Sequence, residues 1–163
     1  MILNRIGLSI LVLVFISSCG DAPMEQMAPG AENEQASTND PESEQIAGRW
    51  YSNDQVVLGT EVFAENCAEC HGASAEGIVE DWRQRLDDGS FPPPPLNGSA
   101  HAWHHPTSML LQVINNGGEV YGGKMPPFAD ILEDSEKLAA IAFFQSFWSD
   151  EIYAQWEQMG GTN

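Results

Sequence analysis

Cys67-Ala68-Glu69-Cys70-His71 is the stretch whose residue types and spacing can do chemistry. Two thiols three positions apart fall on one face of a helical turn, where both can add to the two vinyl groups of one porphyrin. The imidazole that follows at once is then held beneath the iron and can bind it as an axial nitrogen. The run therefore reads as an attachment site for c-type haem. A thiol redox pair would need a strand-to-helix setting, and no βαβ pattern surrounds these cysteines. A zinc site would need a second pair of ligands. The third cysteine, Cys19, lies in a different kind of segment, so only ligation borrowing His101, His104 or His105 would remain.

Tyr121-Gly122-Gly123-Lys124-Met125-Pro126-Pro127-Phe128 frames a methionine with glycines before it and prolines after it. Glycine allows close backbone approach and proline fixes the path, so Met125 is presented on a rigid extended loop. A lone methionine is usually core filler, but beside a C-x-x-C-H run it reads as the second axial ligand. Met109, on an apolar helix face, is the weaker candidate. His101-Ala102-Trp103-His104-His105-Pro106 supports several readings. These imidazoles can hold copper, ligate the iron, hydrogen-bond haem propionates, or simply satisfy a turn.

The elements that must position these groups are helical. Ser52 or Asp54 can cap a helix over 54–66, with Val56, Gly59, Val62 and Phe63 on its apolar face, and this helix delivers Cys67. Between 72 and 100 the only regular element expected is a helical turn over 79–86. The run Phe91-Pro92-Pro93-Pro94-Pro95-Leu96 makes the rest an extended path. A loop this long needs another source of core, and a haem supplies one. Thr107 is the expected cap of a short helix carrying Met109, Leu110, Val113 and Ile114, ended by Gly117-Gly118. A last helix over 134–148 presents Ala140, Phe143, Phe144, Phe147 and Trp148, followed by an aromatic tail of Ile152, Tyr153 and Trp156 that folds back.

The ends carry other signals. Arg5, the apolar run from Ile6 to Ile16 and then Ser17-Ser18-Cys19 read as a leader over 1–18 that is too short to span a bilayer, with Cys19 the acylated first residue of a bacterial lipoprotein. Residues 19–48 lack aromatics, Lys and Arg and read as an acidic disordered tether with a reach of about 30 Å. The folded domain is expected over 49–163. With 24 Asp and Glu against six Lys and Arg, the net charge is −18, which excludes a nucleic-acid partner and suits redox proteins with basic docking patches. Glu65, Glu69 and Glu119 are candidate steering residues.

Taken together, the order and spacing of these motifs resemble a class I cytochrome c from about Tyr51 to Trp148. The resemblance implies a small all-α fold, about three main helices plus long loops packed around one covalent haem c, with first and last helices crossing at Gly59 and Phe143. It implies that Cys67 and Cys70 hold the haem, that His71 and Met125 bind its iron, and that the Pro94 carbonyl accepts from His71. The expected role is that of a monomeric electron carrier rather than an enzyme, lipid-anchored on the periplasmic side of a bacterial membrane. A subunit of a larger oxidoreductase would read the same way. The alternatives are a haem enzyme or sensor with a displaceable methionine, and a copper-handling module using His101, His104 and His105.

Overall fold

A computed structural model describes residues 45–163; the expected leader, Cys19 and most of the tether lie outside the described residues. Five α-helices are present among them: α1 (Asn53–Asn66), α2 (Ala68–His71), α3 (Thr107–Asn116), α4 (Asp134–Gln145) and α5 (Asp150–Gln158), with short 3-10 turns at Ala102–His104 and Glu119–Tyr121. The sole strand-like feature described is an isolated bridge between Gln45 and Ser52. The fold is all-α, as expected, and no described helix is long and apolar enough to cross a membrane.

Helix α1 starts at a capping box. The Ser52 hydroxyl accepts from the Gln55 N–H at 3.2 Å, and the Gln55 side chain accepts from the Ser52 N–H at 3.0 Å, satisfying donors that a helix start leaves free. α4 begins on a similar box between Glu133 and Glu136. The two helices cross at Gly59. A Cβ there would lie 2.0 Å from the Ala139 carbonyl oxygen and 2.9 Å from the Phe143 Cβ, so only glycine permits the approach. Phe63 and Phe143 then meet at 4.8 Å between ring centroids. They join Tyr51, Ile141, Phe144, Trp148, Tyr153 and Trp156 in one core, while Val62, Phe128, Leu132 and Ala140 form a second, smaller cluster.

Several boundaries differ from expectation. The folded body begins before Arg49, because the Ile46 N–H donates to the Tyr51 carbonyl at 3.2 Å and Ile46 packs on the core. No helical turn forms over 79–86; the Asp81 carboxylate accepts from the Arg83 N–H at 3.0 Å and its carbonyl from the Gln84 N–H at 3.2 Å, an alternative to helix that aspartate favours. Thr107 is the first residue of α3 rather than its cap. Pro106 holds the cap position, and the carbonyl of Gly161 accepts from both the Thr107 N–H, at 2.7 Å, and the Thr107 hydroxyl, at 2.9 Å. The segment after α5 thus does what a cap side chain would do.

The last helix also divides. α4 stops at Gln145, the Ser146 hydroxyl donates back to the Phe143 carbonyl at 2.6 Å, and Phe147 is 43% exposed rather than core. The aromatic tail is itself helical: Ser149 caps α5, and Tyr153 and Trp156 are buried. α5 is tied to the entry of α1. The Tyr153 hydroxyl accepts from the Trp50 N–H at 2.9 Å, and Arg49 pairs with Asp150 at 2.6 Å while lying over the Tyr153 ring.

Candidate haem site

The end of α1 hands the chain to a single turn. The Cys67 N–H donates to the Phe63 carbonyl at 2.9 Å, and the Cys67 carbonyl accepts from the Cys70 and His71 N–H groups at 3.1 and 2.9 Å. These bonds place Cys67, Cys70 and His71 on one compact turn. Both cysteines are unpaired, Cys67 half-buried and Cys70 exposed. Burial first, and the neighbouring Cys70 second, push the Cys67 thiol up to about 11. A thiol redox pair needs the opposite shift, since its nucleophile is the thiolate.

His71 is 8% exposed, beside the Phe63 ring at 6.5 Å. Its Nδ1 lies 3.1 Å from the Pro94 carbonyl oxygen. A carbonyl can only accept, so Nδ1 carries the proton and Nε2 keeps its lone pair. Burial lowers the imidazole's pKa, with the Pro94 bond acting in the opposite sense, so the ring stays neutral at physiological pH.

The segment carrying Pro94 is fixed from two sides. Buried Ala75 adopts a left-handed conformation, φ +56°, and its carbonyl accepts from the Leu96 and Asn97 N–H groups at 2.7 and 3.1 Å. On the other side the Trp148 indole N–H donates to the Leu96 carbonyl at 2.7 Å. Neither contact has a sequence signature. The general requirement that a buried indole find a partner was the available hint.

Met125 sits on the facing loop, half-buried against the cluster of Val62, Phe128, Leu132 and Ala140. Its carbonyl accepts from the Gly118 N–H at 2.9 Å, and a Cβ on Gly117 would come within 2.6 Å of that oxygen. The glycine pair that ends α3 is therefore a seat for the methionine loop. Val62 belongs to the cluster that carries Met125, and its neighbour Phe63, beside the His71 ring, belongs to the main core; Ile114 of α3 packs against both clusters.

The three downstream histidines part company. His101 stacks on Trp82 with ring centroids 4.7 Å apart and lies 5.3 Å from the His105 ring, whereas exposed His104 packs on Trp103. Among the described residues no group of three His, Cys, Asp or Glu side chains is gathered to hold a metal ion, so the three-histidine copper site is not assembled. Burial, then the neighbouring imidazoles and, for His101, Arg83, lower the pKa of His101 and His105. The His105 carbonyl accepts from the Trp156 indole at 2.9 Å, which ties this segment to α5.

A family model described as cytochrome c oxidase, cbb3-type, subunit III matches residues 54–144. The chain belongs to that family. Its domain is a c-type cytochrome, and membership implies haem c and electron transfer. The cbb3-type cytochrome c oxidase subunit FixP of Sinorhizobium medicae is 32% identical over 97 residues, covering 56% of this chain and 29% of that protein. The cbb3-type cytochrome c oxidase subunit CcoP of Rhodobacter capsulatus is 44% identical over 45 residues, covering 28% of this chain and 15% of that protein. The cytochrome chain thus spans less than a third of the length of the curated relatives it matches. No solved structure matches it significantly.

The residues present fit such a group. The cytochrome offers two unpaired thiols on one turn, a buried neutral imidazole with a free lone pair, and a thioether on a glycine-seated loop. Helix α3 has no fully buried residue, and its apolar side chains Leu110, Leu111 and Ile114 pack only partly on the core, leaving apolar surface of the kind a porphyrin covers.

Proposed function

We propose that this chain is a membrane-tethered carrier of single electrons, holding one haem c through Cys67 and Cys70 with His71 and Met125 as axial ligands. The observation that carries the reading is the buried His71, its Nδ1–H committed to Pro94 and its Nε2 free, on the same turn as two unpaired cysteines. Bound haem supplies a one-electron iron couple, and a thioether ligand raises its potential relative to a second imidazole.

The chain's own residues do the rest. Cys67 and Cys70 retain the group, Pro94 fixes the His71 ring and its tautomer, and Met125 contributes a soft donor that favours the reduced state. Exposed Glu65, Glu69 and Glu119, in a chain of net charge −18, support a partner with a basic docking patch. Residues 1–18 as a leader, Cys19 as the lipidated residue and 19–48 as a tether would place the domain on the periplasmic side of a bacterial membrane. The relatives are cbb3-type oxidase subunits by name, which supports service to a terminal oxidase, either as a mobile carrier or as a bound subunit.

The test is the absorption spectrum of the full chain produced in a host with c-type haem maturation. The oxidised protein should show the weak methionine-to-iron charge-transfer band, and Met125→Ala should abolish it while haem stays attached. Cys67→Ser with Cys70→Ser should leave haem that denaturant extracts. A band that persists in Met125→Ala would remove Met125 from the site.

A further inference from the structure

Between the two ligand loops runs a long stretch, 78–92, that has no helix of its own. That stretch is nevertheless internally braced. The Leu86 N–H donates to the Ser90 carbonyl at 2.9 Å, and the Gly89 N–H donates back to Leu86 at 2.9 Å. The Asp88 carboxylate accepts from the Ser90 N–H at 2.9 Å, and Arg85 donates to the Gly89 carbonyl at 2.5 Å.

Its two ends reach different parts of the molecule. At one end Trp82 stacks on His101, and the Arg83 guanidinium lies 4.3 Å from the centre of the Trp82 ring. At the other end the loop grips the methionine loop. The Phe91 N–H donates to the Gly122 carbonyl at 2.8 Å, Asp88 pairs with Lys124, and the Arg85 guanidinium lies 3.9 Å over the Phe91 ring. A Cβ on Gly122, which has φ +80°, would meet both Arg85 and Phe91 at 3.5 Å, so the two loops are in van der Waals contact there. Lys124 is the residue next to Met125 in the chain.

We propose that the 82–91 loop is a strap whose residues Arg85, Asp88 and Phe91 position the Met125 loop, and so set how readily Met125 gives way to an outside ligand. This rests on Met125 being a ligand. On one side the Met125 loop is held by the Gly118 segment, whose carbonyl accepts from the Tyr121 and Gly123 N–H groups at 3.0 Å. The strap adds a second hold on residues 122–124 from another part of the chain, and it joins the methionine loop to the His101 segment across the Trp82 stack. Because Asp88 and Lys124 are largely exposed, their pairing alone is worth little. The grip comes from the ring, the guanidinium and the main-chain bond acting together.

The experiment uses the haem-loaded full chain and measures imidazole binding to the oxidised form, with Met125→Ala alongside. The double variant Arg85→Ala/Phe91→Ala, which removes both side chains that meet Gly122, should bind imidazole about tenfold faster. Amide exchange should rise in residues 118–125 while α4 stays protected. Asp88→Lys binds faster than the parent, and Asp88→Lys/Lys124→Asp should return most of the difference. If the strap variants bind at the parent rate while Met125→Ala binds fast, the strap is refuted and the ligand reading stands. If α4 exchange rises as much as 118–125, these residues serve general stability and the strap is again refuted. If Met125→Ala and the parent bind alike, Met125 is no ligand and both readings fall.

Discussion

At the scale of single residues, the site is built from groups whose protonation is settled by what surrounds them. His71 is neutral because it is buried, and its tautomer is fixed because Pro94 offers only an acceptor. His101 and His105 are held neutral in the same way, with pKa values below the ordinary 6.5. The unfolded chain therefore takes up their protons first, and stability falls as pH drops below that ordinary value toward the folded ones. Thermal midpoints should decline between about pH 7.5 and pH 5.5, and His101→Gln/His105→Gln should flatten that decline. Asp88 and Glu151, held below the usual carboxylate range by hydrogen bonds from Lys124 and Ser149, lose their contribution only at lower pH. A slope unchanged in the histidine variant would show that other groups govern this window. Much of this scale was legible in the sequence: Cys67, Cys70 and His71 are neighbours in the chain, so a local pattern suffices to find them. The division of labour among His101, His104 and His105 was not, because Trp82, nearly twenty positions earlier, selects His101 as its partner.

At the scale of elements, α1, α3 and α4 were legible from their apolar residues and their end signals, whereas α5 was not legible as a helix. α1 and α4 have Gly59, Phe63 and Phe143 at readable spacing. α2 is the single turn that the cysteine spacing implied, and α5 has an apolar face of Ile152, Tyr153 and Trp156 behind a Ser149 cap, but its nine residues follow so soon after α4 that they read as a tail. Thr107 misled as a cap because the groups that satisfy α3, the carbonyls of Gly161 and Asn163, are more than fifty residues away. The crossing itself makes a sharp prediction. In Gly59→Ala the new methyl would face a main-chain oxygen 2.0 Å away, which cannot step aside as a flexible side chain could. The variant should lose about 2–3 kcal/mol of stability in denaturant titration, while the isolated Val57→Ala change on the exposed side of α1 should cost almost nothing.

For the whole molecule, charge is the property that acts over distance. An excess of eighteen negative charges on a 163-residue chain creates a field that accelerates encounter with a basic surface and repels an acidic one. Electron transfer to a basic redox partner should slow about tenfold between low and physiological ionic strength, measured by stopped flow, whereas a neutral mediator should be unaffected. Salt independence with every basic partner tried would remove electrostatic docking from the proposed function. Composition alone gave this scale, since net charge needs no fold. The path of the loops over the site needed one, because indole donors such as Trp148 and Trp156 fix loop carbonyls that no pattern marks.

The meeting of Gly59 with Ala139 also has a bearing on how the chain reaches its native state. The two positions are about eighty residues apart, and closing so large a loop costs about 4 kcal/mol of chain entropy before any packing is gained. Contacts of such long sequence separation slow folding. Cys67 and Cys70 sit just beyond α1, on the side of the crossing that is made first during synthesis, with α4 still to come. The topology thus favours an order of events in which the cysteine turn is accessible on an open chain, and the crossing helix arrives afterwards to shut the domain over what has been attached.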